Sequence, residues 1–181
     1  MCARYPTAGR LAASVLVALV VALAPLAAAS AQAFVPDFDL EVATRRVETA
    51  AGPSTRVDVY TAVPNTSLRF LARADGFEAS YAVTVDVYGL DAGGRQQGLV
   101  VSRTFEREVA AASYETTQNA DLEDRAVQSL AIPAGRYAIE VALEDGSSGR
   151  TYSQQVGHVV RDVTTGAVTI SDPLLVRRYD P

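Results

Sequence analysis

The residues able to do chemistry in this 181-residue chain are few, beginning with a single histidine, His158. A Ser-His-Asp triad, a Cys-His dyad and a multi-histidine zinc site each need an imidazole beside a fixed partner. All three must use His158 or are excluded. It stands in Val156-Gly157-His158-Val159-Val160, a run that reads as strand interior, so we read it as a sheet histidine satisfied by its neighbours. Carboxylates are plentiful, and the densest group is Asp121, Glu123 and Asp124. It lacks the regular Asp spacing and central Gly of a calcium loop and reads as a solvated acidic turn. Two acids could also serve a sugar hydrolase, but such a pair looks like any surface acids until a fold brings it together. No Gly-rich loop follows a strand and opens a helix, so nucleotide binding has no support and no cofactor is expected. What remains is surface. Tyr60 falls on a strand face with Arg56 and Asp58, and Tyr88 on one with Thr84 and Asp86, each opposite a set of valines. Aromatics beside charged groups, Arg above all, suit protein interfaces. Tyr60, Tyr88, Arg56 and Asp86 are therefore the candidate protein-binding face, against the plainer reading of cross-strand pairing on a solvated sheet.

These side chains must be positioned by strands, because the apolar residues recur at every second position. Phe38, Leu40 and Val42 alternate with Asp39, Glu41 and Ala43, and Val57, Val59, Thr61 and Val63 with Arg56, Asp58, Tyr60 and Ala62. Tyr81, Val83, Val85 and Val87 alternate with Ala82, Thr84, Asp86 and Tyr88. Leu99, Val101, Phe105 and Val109 follow, and then Tyr137, Ile139, Val141 and Leu143. Gly and Asp clusters at Ala51–Ser54, Asp75-Gly76, Asp91–Gly94, Pro133–Gly135 and Asp145–Gly149 supply turns. The segment Ser113–Glu123 is the least regular and reads as a loop. The expectation is an all-β, immunoglobulin-like antiparallel β-sandwich of about seven to nine strands. Val57, Val59, Val83, Val85, Ile139 and Val141 form its core, and the alternative is a closed barrel of the same strands.

The N-terminus is of another kind. Arg4 and Arg10 precede an uncharged apolar run from Leu11 to Leu26, and Ala31-Gln32-Ala33 has the form that signal peptidase accepts. We expect residues 1–33 to be a signal peptide, cleaved after Ala33, with residues 34–181 as one domain. A retained anchor would need roughly 20 apolar residues, and Pro25 with the small-residue tail disfavours it. Lipidation would need a Cys at the cleavage point, whereas Cys2 precedes the apolar run and is the only cysteine. The remaining 148 residues therefore rely on packing, without disulfides or thiolate metal sites. They carry 14 arginines, no lysine and 21 acidic residues, hence a net charge of −7. Nucleic acid and anionic lipid are poor partners for such a surface. A GC-rich genome or adaptation to high salt would each produce this composition.

With the strands laid out, three segments resemble the N-terminal β-domain of bacterial GWxTD-domain proteins: Val57–Pro64, Ser67-Leu68-Arg69-Phe70 and Gly76–Val83. Pro133-Ala134-Gly135-Arg136-Tyr137, Glu144–Ser148 and Ile170-Ser171-Asp172 are similar to the same family's pattern. The chain has no Trp and so lacks the segment that names the family. The resemblance implies the sandwich and export to the periplasm or beyond, and carries no catalytic residue. The expected function is that of a non-catalytic interaction or structural module of the cell envelope, not an enzyme, with no membrane insertion once the signal is removed. Its partner is expected to be a protein, because a filled sandwich core leaves little room for a small molecule while strand edges and the tyrosine faces can receive another chain. The alternative is a carboxylate-based hydrolase or carbohydrate-active protein.

Overall fold

The computed structural model describes residues 38–164 and 170–173, so the expected signal peptide and its cleavage point lie outside the described residues. Period-two alternation becomes eight strands among them: β1 (Asp39–Thr49), β2 (Gly52–Pro64), β3 (Leu71–Arg73), β4 (Gly76–Leu90), β5 (Gln96–Ala111), β6 (Glu123–Leu130), β7 (Gly135–Asp145) and β8 (Thr151–Val160). Strands take up about two-thirds of the described residues. The segment read as a loop instead contains one helical turn, α1 (Tyr114–Thr117), because Ser113 Oγ accepts a bond from Thr116 N–H and caps it. The acidic turn is corrected too: Glu123 and Asp124 open β6.

Every strand pair is antiparallel. One sheet has the order β1-β2-β6 and the other runs β5-β4-β7-β8, so the strands form two layers instead of the alternative barrel. The short β3 shares an edge of β4 with β7: Phe77 pairs with Ala72 and Ala111, whereas Val83 pairs with Phe105 and Leu143. The chain crosses between layers after β2, β5 and β6, which is Greek-key traffic. In immunoglobulin terms β1, β2 and β6 stand as strands A, B and E, and β4, β7 and β8 as C, F and G, with β5 added beside C. A local detail agrees. Tyr137, near the start of β7, donates its hydroxyl to the carbonyl of Pro133 at 2.9 Å, the tyrosine corner of such sandwiches.

All six residues expected in the core are buried there, joined by Phe38, Val63, Tyr81, Val87 and Leu143. Each fully buried aliphatic side chain contributes about 1.5–3 kcal/mol. Polar ties join the layers at both sides of the sandwich. Asp124 on β6 accepts the Tyr81 hydroxyl from β4 at 2.7 Å and a two-pronged bond from Arg107 on β5 at 3.0 and 2.7 Å. At the opposite side of the sandwich, Thr44 on β1 meets His158 on β8 at 2.8 Å.

Candidate functional site

The one histidine sits in a constellation that superficially suits nucleophilic catalysis. Thr44 Oγ1 lies 2.8 Å from His158 Nε2, and Asp172 Oδ2 lies 3.8 Å from the same nitrogen. A relay needs the nucleophile and the carboxylate on opposite ring nitrogens. Here both face Nε2, and Thr44 is buried beyond reach of a substrate. Asp172 is engaged elsewhere, accepting the Thr44 N–H at 2.8 Å and pairing with Arg161, while its own N–H bonds Thr44 O at 3.0 Å. The group pins residues 171–172 to the free edge of β1. Burial pushes His158 below its ordinary value, with Arg161 acting in the same sense and Asp172 against it. Burial also works to raise the Asp172 carboxyl, but the Thr44 backbone bond and Arg161 outweigh it and hold the group down.

The carboxylates of Asp124 and Glu123 are similarly engaged. Burial would raise Asp124, yet hydrogen bonds from Arg107 and Tyr81 outweigh it and keep the group below the ordinary carboxylate range. Its partners respond in kind: burial and then Asp124 push the Tyr81 phenol up, and Asp124 pushes Arg107 up. Glu123 pairs with Arg125, and Asp121 N–H bonds Asn119 at 2.9 Å. Among the described residues no three His, Cys, Asp or Glu side chains are placed to hold a metal ion. Two concavities flank the ends of the sandwich, and each is lined by a single carboxylate, Asp145 in one and Asp162 in the other.

The four residues of the candidate face separate into two pairs. Val57, Val59, Val83, Val85 and Val87 share one core, so the intervening residues point outward from their respective sheets. Arg56 and Tyr60 therefore lie on the outer face of the three-stranded sheet, and Asp86 and Tyr88 on the outer face of the other. The full thickness of the sandwich stands between them.

On the first face the charges neutralise one another. Asp58 is only 1% exposed and is flanked by Arg56 at 2.8 Å and Arg45 at 3.3 Å, with the Ser129 hydroxyl donating to it at 2.7 Å. Arg45 also covers the Tyr60 ring at 5.7 Å. Burial raises the Tyr60 phenol, opposed by Arg45.

The second face is open. Neither the Tyr88 hydroxyl nor the Asp86 carboxylate has a hydrogen-bond or ion-pair partner among the described residues. Tyr88 lies in register between Leu99 on β5 and Ala138 on β7, and Ala138 opposite Gly157 on β8. This uncharged row crosses four strands, about 14 Å at ordinary strand spacing. Leu99 is 54% exposed, and Val159, two residues beyond Gly157 on the same face, is 57% exposed. The next row is the reverse in character: Asp86 stands directly opposite Glu140. Further along, Glu106 and Glu144 flank Ala82. None of these four acids has an ion-pair partner among the described residues.

The row around Tyr88 escaped sequence reasoning because Leu99-Val100-Val101 breaks the alternation. Val87 pairs with Val101 and Tyr88 with Leu99, so Val100 is the extra residue of a β-bulge that turns Leu99 outward. Three consecutive apolar residues in an otherwise alternating strand were the available signal. Compared with protein-family models and with curated proteins, the chain matches none.

Proposed function

We propose that this chain is a non-catalytic interaction module of the bacterial cell envelope, and that a protein partner seats on the outer face of the five-stranded sheet. The observation that carries this is the open Tyr88 row: an aromatic with an unpartnered hydroxyl, in register with exposed Leu99, on the face that also carries exposed Val159 two strands away. Rigid aromatics beside aliphatic groups on a flat surface are what interface centres use. The adjoining acids give the partner a sign. Asp86 opposite Glu140 is a like-charge cross-strand pair, which is destabilising unless a cation arrives, so the matching surface is a basic one. The expected signal peptide and the resemblance to envelope β-domains support the compartment. The engagement of Asp58, Asp124, Asp145 and Asp172 by arginines, hydroxyls or backbone N–H groups supports binding over hydrolysis at those acids.

Affinity capture from envelope extracts tests the reading with two single variants. Tyr88→Ala is expected to lose a partner that the wild-type protein retains, and added salt is expected to weaken retention. Tyr60→Ala is expected to keep that partner, because Arg45 already occupies the Tyr60 ring. Loss through Tyr60 alone would move the site to the other sheet, and retention by both variants would remove it from the sheet faces.

A further inference from the structure

A second site lies at the end of the sandwich where β2, β5 and β7 finish and β4 begins. A cavity of about 410 Å³ opens there between the β2–β3 connection, α1 and the β7–β8 turn. Its volume is within the range of small-ligand sites. The walls are aromatic: Phe70, Phe77 and Tyr114 line it, with Phe77 and Tyr114 tilted against each other at 6.2 Å. Tyr114 is 61% exposed, an unusual position for a ring with no covering element among the described residues.

The rim carries two arginines, Arg69 and Arg150, and neither pairs with a carboxylate among the described residues. The only acid in the lining, Asp145, is 1% exposed and turned into the backbone. One of its oxygens accepts the Arg69 N–H at 2.5 Å, and the other accepts the Ser147 and Ser148 N–H groups at 2.8 and 2.9 Å. Its own N–H bonds the Arg150 carbonyl at 2.9 Å. Asp145 thus fixes both arms, its carboxylate holding the Arg69 backbone and the Ser147-Ser148 turn and its own N–H holding the Arg150 carbonyl. The lining holds two positive charges against one negative, on a chain whose overall charge is −5.

We infer that this cavity binds a carboxylate carried on an aromatic or other apolar body, the rings holding the body and Arg69 with Arg150 holding the acid. The expectation that no small molecule binds concerned the filled core, whereas this cavity lies outside it. The inference is independent of the Tyr88 face. Two sources share the chemistry: the C-terminal end of a peptide with an apolar last residue, and a small aromatic acid.

The purified protein is titrated with acetyl-alanyl-phenylalanine, with its C-terminal amide, and with phenylacetate, binding being read from NMR shifts of residues around the cavity. The free acid is expected to bind about tenfold more tightly than the amide, the magnitude of one charge-assisted hydrogen bond. Arg69→Gln and Arg150→Gln are each expected to reduce that preference. Tyr114→Ala is expected to weaken acid and amide alike and leave their ratio unchanged. Arg150 also lies over the Tyr152 ring at 5.2 Å, whereas Arg69 makes no such contact among the described residues, and unchanged melting of each variant separates loss of the ligand contact from a change in the fold. If phenylacetate matches the peptide acid, the source is a small acid; if the peptide is clearly tighter, it is a chain end. Equal binding of acid and amide, a preference surviving in both arginine variants, or no cavity shifts at millimolar probe would overturn the inference.

Discussion

His158 is held beside Thr44, Asp172 and Arg161, and that setting makes it the residue through which mild acid reaches the fold. Its folded pKa lies below the ordinary 6.5, so as pH falls the unfolded chain takes up the proton first. Stability from the neutral imidazole is complete above about 6.5 and is lost as pH drops through the folded value. Asp124 and Asp172, both held below the ordinary 3.8, follow the same sign at lower pH. Urea unfolding between about pH 7 and pH 5 should show stability declining with acidity. His158→Gln, which can still meet the Thr44 hydroxyl, should flatten that decline, and a slope unchanged in the variant would assign it to another group. The residue itself was legible in the sequence as a satisfied strand histidine. Its partners were not, since Thr44 lies 114 positions along the chain from it and 128 from Asp172, and only the packed sheets bring them together.

At the scale of elements, the corner between β6 and β7 holds the crossing from one sheet to the other. Tyr137 closes it through the Pro133 carbonyl, and the ring lies so close to Gly135 that a Cβ there would stand 3.1 Å from the hydroxyl oxygen and 3.2 Å from ring carbons. Tyr137→Phe is expected to destabilise by about 1 kcal/mol, a fall in melting temperature of roughly 3 °C for a domain of this size. Gly135→Ala is expected to lower it further, because the ring must shift to admit the methyl group. Thermal unfolding followed by circular dichroism checks both, and a Tyr137→Phe variant as stable as the wild type would show the hydroxyl bond to be without effect. Strand existence was legible element by element, as β2, β4 and β7 show by their alternation. The exceptions have local causes. β3 is three exposed residues with no buried face to pattern, and β5, an edge strand with a bulge, buries too little for its alternation to mark the face.

For the whole molecule, charge is distributed unevenly between the two outer faces. The β1-β2-β6 face sets Arg45 and Arg56 around Asp58 and neutralises itself, whereas the opposite face leaves Asp86, Glu106, Glu140 and Glu144 without counter-ions among the described residues. Folding has to begin downstream of the expected cleavage point, and Phe38 is already in the core at 1% exposed. Cleavage after Ala33 leaves four residues ahead of it. Mass measurement of the protein recovered from its host's envelope or medium is expected to give a chain beginning at Phe34, and a chain retaining Met1 would refute the signal peptide.

The sequence by itself determined which residues face inward, because a strand's period of two assigns Val57, Val59, Val83, Val85, Ile139 and Val141 to one side without reference to any neighbour. It likewise determined the poverty of catalytic groups, since one histidine and one cysteine limit the chemistry whatever the fold. Tertiary structure decided which outward residues share a surface. Tyr60 and Tyr88 have the same local pattern, but β2 and β4 enter different sheets, and alternation along one strand holds no information about which layer that strand joins. It also decided that Arg56 is engaged and Asp86 is not, and that Arg69 and Arg150 meet at one cavity through Asp145. Those relations depend on contacts between segments far apart in the chain, whose geometry exists only once the two sheets have packed.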